Sequence, residues 1–317
     1  MSTYTKPYLT YQQQLALIES RGATCTDKSR ALRMLESLGY YNVTGYLYPY
    51  RMANPAGKGR LDTFQPGTDL ADIETLIDFD RALRACLFDG VQLVEVSIRA
   101  RIAYMLGRRN PFAHVDIAFL DPKAATRRYT RGHKTDTAFN WWLDKYQGLQ
   151  DRADKEPFVA HNLAKYGTPL PIWVACEFFD FGAVTDLYEL MYYSDRQIIA
   201  AGAGLTAERT LRTWLRSLNH IRNACAHGKR LWNRVLTVKP AIQIKDLPPD
   251  LIHLARLTND KPYPAIAITA YLTNHLCPDA RWSEKAGTML KAFPVIPLRS
   301  ITEMGAPLNW VYEPIWK

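Results

Sequence analysis

DLADIETLIDFDRALRACLFDGVQLVEVSIRARIAYMLG, from Asp69 to Gly107, places Leu76, Phe79, Leu83, Leu87, Val91, Val94, Ile98, Ile102 and Met105 at steps of three and four residues. That spacing lines one stripe of a 3.6-residue helix. The stretch therefore predicts one long amphipathic helix, or two joined at Gly90. Such a stripe is hidden from water by packing on other helices, and the flanking sequence supplies them. Thr10-Tyr-Gln-Gln13 is a capping box leading into Leu15, Leu17 and Ile18, with Gly22 as the stop. Asp27 caps a second helix over Leu32, Leu35 and Leu38 that ends at Gly39.

The tyrosine-rich stretch Tyr40–Tyr50 reads as a packing segment between short helices, with a platform for stacked bases as the alternative. Met52–Gly67, rich in Gly and Pro, is a loop or small hairpin and the best domain boundary. Asn110–Asp136 is loop-like. Helices are expected at Thr137–Arg152, Glu156–Lys165, Pro171–Tyr192, from Thr206 onward, and at Pro264–Leu276 and Trp282–Phe293. The expected fold is all-α. It divides into an N-terminal helical region (1–67), a helical core (68–240) and a C-terminal helical extension packed on that core (241–317).

The 317 residues are 47% hydrophobic and 22% charged, enough apolar surface to exclude a chain disordered throughout. The most apolar runs, such as Pro264–Leu272, fall far below the ~20 residues a bilayer requires, so no membrane partner is expected. Met1–Leu9 lacks the apolar core of a secretion signal, which makes cytoplasmic localisation the expectation. Five scattered cysteines with no CxxC pair argue against a disulfide framework and a cysteine-rich zinc site. They are expected to be reduced and mostly buried, and neither a metal nor a cofactor is expected.

Forty basic against thirty-one acidic residues give a net charge of +9, and the excess is concentrated. Thr206–Lys239 holds Arg209, Arg212, Arg216, Arg222, Lys229, Arg230, Arg234 and Lys239 against the single acid Glu208. Lys123–Lys134 adds Lys123, Arg127, Arg128, Arg131 and Lys134 with no acid. A field concentrated in this way is the footprint of a polyanion such as RNA. A solvated helix face and a basic loop are the plainer alternative.

Leu211–Arg234, wound at 100° per residue, separates two faces. Leu211, Trp214, Leu218, Ile221, Cys225 and Trp232 form a buried stripe. Arg216, His220, Asn223, His227, Arg230 and Arg234 cluster about the opposite pole. Asn223 and His227 are four apart, so the amide can hydrogen-bond one imidazole nitrogen and fix the tautomer an acid–base catalyst needs. Arg222 lies some 140° from His227 on such a helix. It must bend around, or the helix must distort near Gly228, for both to reach one substrate group. Taken singly, a histidine on a polar face is solvated and a flank arginine pairs with an acid. Their combination within the most basic helix points to chemistry.

Arg222-Asn-Ala-Cys-Ala-His227 resembles the R-x(4–6)-H motif of the HEPN superfamily of helical RNases. With Leu231-Trp-Asn-Arg234 it looks like the bacterial abortive-infection family (Abi-like, AbiD/AbiF type). Further blocks run along the chain in the family's order: Lys6-Pro-Tyr-Leu-Thr10, Gly39-Tyr-Tyr41, Gly45-Tyr-Leu-Tyr-Pro49, Phe79-Asp-Arg81, Ile98-Arg-Ala-Arg-Ile102, Pro171-Ile-Trp-Val174, Asp180-Phe-Gly182 and Met304-Gly-Ala-Pro307. Where the family more often has a second histidine, this chain has Gly228.

The resemblance implies a HEPN-like helical bundle and a metal-independent endoribonuclease of the toxin type acting in phage defence. In it His227 would be the general acid or base, Arg222 would hold the phosphate, and Asn223 would orient the imidazole. His220, Arg216, Arg230, Arg234, Arg127, Arg128 and Arg131 would bind RNA. Products would carry 2′,3′-cyclic phosphates. The site would be composite, formed in a homodimer, and a small RNA or an antitoxin would be a further partner.

Glu95 and Arg99, four apart on the long helix, form an intrahelical ion pair or stand as a supporting layer beside the motif. Asp180-Phe-Gly182 imitates a kinase metal motif without the rest of a kinase. Glu177 and Asp180 could seat a metal, yet two acids three apart are commonly a solvated edge. Two function classes therefore stand: an RNase toxin, and a non-catalytic RNA-binding or protein-interaction module on the same fold.

Overall fold

The computed structural model describes Thr5 and residues 7–317, the side chain of Arg131 excepted; Lys6 of the N-terminal block lies outside the described residues. Three short helices come first: α1 (Tyr11–Ser20), α2 (Lys28–Leu38) and α3 (Tyr40–Leu47). The capping box forms at Thr10, whose hydroxyl accepts from the Gln13 amide at 3.3 Å while the Gln13 side chain accepts from the Thr10 amide at 2.9 Å. Asp27 caps α2, and Gly39 at φ 77° ends it, a conformation that favours glycine. Met52–Gly67 contains an antiparallel hairpin, β1 (Arg51–Ala53) with β2 (Arg60–Phe64).

Next comes α4 (Leu70–Gly107), an unbroken helix of 38 residues capped by Asp69. At ~1.5 Å per residue it is about 57 Å long and serves as the spine of the protein. Gly90 does not divide it. The indole of Trp282 lies flat on the helix there, and a Cβ at Gly90 would stand 2.2 Å from Trp282 Cε2. The same indole donates to the Cys86 carbonyl at 3.1 Å.

The chain continues through α5 (Lys123–Thr126), a second hairpin β3 (Arg128–Arg131) with β4 (Lys134–Thr137), α6 (Ala138–Ala153), α7 (Pro157–Tyr166), α8 (Ile172–Ala175), α9 (Phe181–Leu190) and α10 (Tyr193–Gly202). It ends with α11 (Glu208–Ala226), α12 (Pro262–Leu276), α13 (Trp282–Lys291) and short 3₁₀ turns. The fold is all-α with two small hairpins. Helices α8, α9, α11, α12 and α13 pack around α4. One buried apolar core runs from Leu15 through Val91, Trp214 and Ile268 to Ile315.

Three sequence expectations are corrected. Pro171–Tyr192 is two helices, because Phe179 turns extended and Asp180 accepts from the Ala183 amide at 2.7 Å to cap a new start. Tyr193–Gly202, not anticipated, is a helix. The basic segment Lys123–Lys134 is largely a hairpin, held by register pairs from Arg128–Thr137 to Arg131–Lys134. The five cysteines are unpaired, with Cys176 buried and the others half-buried.

Helical Gly→Ala ordinarily gains up to about 1 kcal/mol. Gly90→Ala reverses that sign, because the indole must move; an overall loss of about 1–3 kcal/mol is expected in urea denaturation.

Candidate functional site

Helix α11 stands against α4 because Leu211, Trp214, Leu215, Leu218 and Ile221 are fully buried on one side. Trp214 donates its indole N–H to the Ala241 carbonyl at 2.8 Å, and Ser217 bonds the Val238 carbonyl at 2.9 Å. The returning segment after the motif is thus stitched along the helix. The helix does not run to Arg234 as its periodicity suggests. It ends at Ala226, with His227 as the C-cap and Gly228 at φ 61°. The Lys229 amide bonds the Ala224 carbonyl and the Gly228 amide the Cys225 carbonyl, both at 3.0 Å, the Schellman pattern. Gly228 therefore occupies the left-handed position that favours glycine. Trp232 is buried, but by the turn rather than by the helix stripe.

That turn is held by Asp80, a carboxylate with no exposed surface in the middle of the α4 stripe. It accepts from the Leu231 amide at 3.1 Å, from the Trp232 amide at 2.7 Å, from Tyr46 Oη at 2.6 Å, and from Arg84. Burial pushes its carboxyl above the ordinary range, while Tyr46, Arg84 and the two amides pull it down. A carboxylate that serves as acceptor for all four groups is the ionised form. Asp80 stands in the Phe79-Asp-Arg81 block, yet its role was missed at the level of sequence. The available signal was an acid among the apolar positions Leu76, Phe79 and Leu83, with Arg84 four residues on.

Arg222 leans toward α4. Its Nε is 3.8 Å from Glu95 Oε2, its Cζ lies 5.6 Å from the centre of the Phe88 ring, and its Nη1 donates to Asn223 Oδ1 at 3.4 Å. Glu95 is nearly buried; burial raises its carboxyl, Arg222 and Arg99 lower it, and Asp180 raises it again. Arg99 pairs with Glu177 at 3.8 Å rather than closing a bond with Glu95. Asn223 engages Arg222, and His227 makes no side-chain hydrogen bond among the described residues. His227 and Asn223 are exposed and Arg222 is half-buried. The His227 amide still bonds the Asn223 carbonyl at 3.1 Å, so the residue keeps its helical position and only the chain after it turns away.

The remaining candidate residues divide into several groups. Arg216 is spent on the buried carboxylate of Glu189, which it grips with both Nε and Nη2. His220 bonds Thr237 Oγ1 through Nε2 at 3.1 Å, and burial, then Arg234 and Lys229, hold its imidazole below the ordinary value. Arg230 runs back over the Tyr46 ring at 6.0 Å. Arg127 lies over Tyr129 at 5.4 Å and Arg128 is exposed on β3. The side chain of Arg131 lies outside the described residues. Arg127, Tyr129, Trp141, Glu189 and Arg216 line a cleft between the second hairpin and α11. Among the described residues no three His, Cys, Asp or Glu side chains are grouped to hold a metal, and no helix is long and apolar enough to cross a membrane.

The fold and this site define an all-α protein whose most cationic helix ends in an Arg-x4-His pair. The family model of Abi-like proteins matches residues 33–233, well over half the chain, and the chain belongs to that family. Membership implies a role of the abortive-infection kind, in defence against phage. No curated protein and no solved structure matched.

Asp80→Ala leaves Arg84 and two buried amides without their acceptor. A loss of about 3–5 kcal/mol is expected in chemical denaturation. Asp80→Asn should fall between that variant and wild type.

Proposed function

We propose that the chain is an endoribonuclease of the abortive-infection type that works without a metal. The observation that carries this reading is the end of α11, where an exposed, unbonded His227 follows a half-buried, braced Arg222 by five positions. The reaction is attack of a ribose 2′-hydroxyl on the adjacent phosphorus. The 2′-oxygen loses its proton as the O2′–P bond forms. The P–O5′ bond breaks, and the leaving 5′-oxygen takes up a proton. His227 handles one of these protons, a role that needs an imidazole nitrogen not tied to the protein. Arg222 offers a planar, permanently charged fork to the phosphorane oxygens. Glu95 and Phe88 act as positioning residues that keep the fork from wandering, and Asn223 tethers it rather than the imidazole.

One chain presents one such pair on an open surface. A second copy facing it encloses the phosphate and excludes water, which strengthens every charge interaction inside. Light scattering at micromolar concentration should give about twice the chain mass of 36.2 kDa. A monomer that still cleaves overturns the composite site.

His227→Ala and Arg222→Ala should each lower RNA cleavage by ~100-fold or more, the usual worth of an acid–base group or an oxyanion donor. Both variants should keep the helical circular dichroism spectrum and most of the affinity for RNA. Cleavage should persist in EDTA and leave 2′,3′-cyclic phosphate ends. If His227→Ala cuts as fast as wild type, or wild type binds RNA without cutting it, the non-catalytic RNA-binding module is the correct reading.

A further inference from the structure

The segment after the motif contains cations with no visible purpose in holding the fold. Most other half-buried arginines have a carboxylate: Arg51 has Asp62, Arg84 has Asp80, Arg99 has Glu177, Arg222 has Glu95 and Arg299 has Glu303. Among the described residues, no acid lies within 4.0 Å of Lys229, Arg230 or Arg234. Arg230 Nη1 and Arg234 Nε are buried without a hydrogen-bond partner, and so are Asn233 Oδ1 and Trp232 Nε1 between them. Orphaned buried donors are rare in native structures and ask for an explanation.

The surroundings make these cations a standing cost. Burial pushes the Arg230 guanidinium below its ordinary value; Tyr46 and Asp80 oppose that push and Arg234 adds to it. The backbone does not let them move apart, because Asp80 grips the amides of Leu231 and Trp232 between them. On the far side Gly45 of α3 closes over Arg230: a Cβ placed there would stand 3.9 Å from Nη1, ordinary contact distance. Two guanidinium groups on either side of a pinned backbone thus lie near Lys229 and His220, with the already fully engaged Asp80 as the acid that acts on Arg230.

We infer that Arg230 and Arg234 form a phosphate-binding subsite, separate from the Arg222–His227 pair, that takes a backbone phosphodiester flanking the one being cut. This deepens the nuclease reading and rests on it for the identity of the ligand. A phosphodiester would offer acceptor oxygens to the N–H groups that the half-buried Arg230 and Arg234 still expose, and its charge offsets theirs. Because the subsite holds ground state and transition state alike, it contributes to binding and leaves the chemical step alone. Arg216, although on the same helix, has no such part, since Glu189 already occupies its fork.

The experiment uses the full chain and a short single-stranded RNA with 2′-O-methyl sugars, which binds without being cut. Arg230→Gln with Arg234→Gln should weaken binding about tenfold at moderate salt. Losing two phosphate contacts should also flatten the slope of log K against log salt by about 1.4. Arg33→Gln with Lys285→Gln removes the same charge from exposed positions and should change both by much less. On cleavable RNA the first pair should raise KM and leave kcat within about twofold. The melting temperature should hold or rise, because an unpaired, half-buried cation is removed; a structural role would lower it. Inorganic phosphate that protects wild type from heat as strongly as the RNA does would assign the subsite to a free anion and overturn the RNA ligand. Equal losses in both pairs, an unchanged salt slope, or a fall in kcat matching the fall in affinity would overturn the subsite. A wild type that binds but never cuts sinks the nuclease reading alone, and the binding comparison still decides the subsite.

Discussion

Asp80 holds three parts of the chain with one carboxylate. It ties α3 through Tyr46, its own helix through Arg84, and the turn after the Arg-x4-His pair through two backbone amides. Stripping an ion of water costs several kcal/mol, and a buried ion persists only where its lone pairs are fully used. Here they are. Because the donors come from positions as far apart as 46 and 232, the desolvated charge enforces a geometry that apolar packing alone would leave loose. The motif helix ends where it does partly because the next residues have somewhere definite to go.

The cationic surface follows from that anchor and from competition among acids. Counted along the sequence, the segment from Thr206 to Lys239 looks uniformly available to a polyanion. In the fold Arg209 is held by Asp246, Arg216 by Glu189 and Lys239 by Asp260. In the hairpin Lys134 is shared between Asp136 and Asp144. The exposed ones among these pairs are worth little to stability, yet each pair neutralises a charge that simple counting assigns to RNA. Of the segment's cations, Lys229, Arg230 and Arg234 on the turn beyond α11, and Arg212 within it, are left without a carboxylate in salt-bridge contact among the described residues.

Signals confined to a few neighbouring residues were legible in the sequence. The Thr10 and Asp27 caps, the long stripe of α4 and the buried face of α11 all rest on local geometry, and all are present in the fold. What escaped depends on groups distant in sequence. Gly228 was visible, but Trp232 continued the apolar period and masked the stop. In fact the backbone of Leu231 and Trp232 is captured by a carboxylate 151 and 152 positions away. The break at Phe179 was hidden by the helical composition of Pro171–Tyr192. The pairing of Glu95 with Arg222 was approachable from sequence only through family resemblance, since nothing local joins the two residues.

The two residues of the pair end up in contrasting surroundings, and the contrast has a physical sense. On the proposed nuclease reading, a guanidinium that meets a transient phosphorane gains from being braced beforehand, and Arg222 is braced by an acid, an aromatic face and an amide. Its ion pair with Glu95 at 3.8 Å is too long for a hydrogen bond, so the carboxylate orients the fork without occupying it. A group that carries protons needs the opposite treatment, because any fixed partner would compete with the substrate for the nitrogen. His227 is left outside the helix, on the surface, with its ring unbonded among the described residues. Gly228 and the Asp80-held turn make that possible by ending the helix one residue before it.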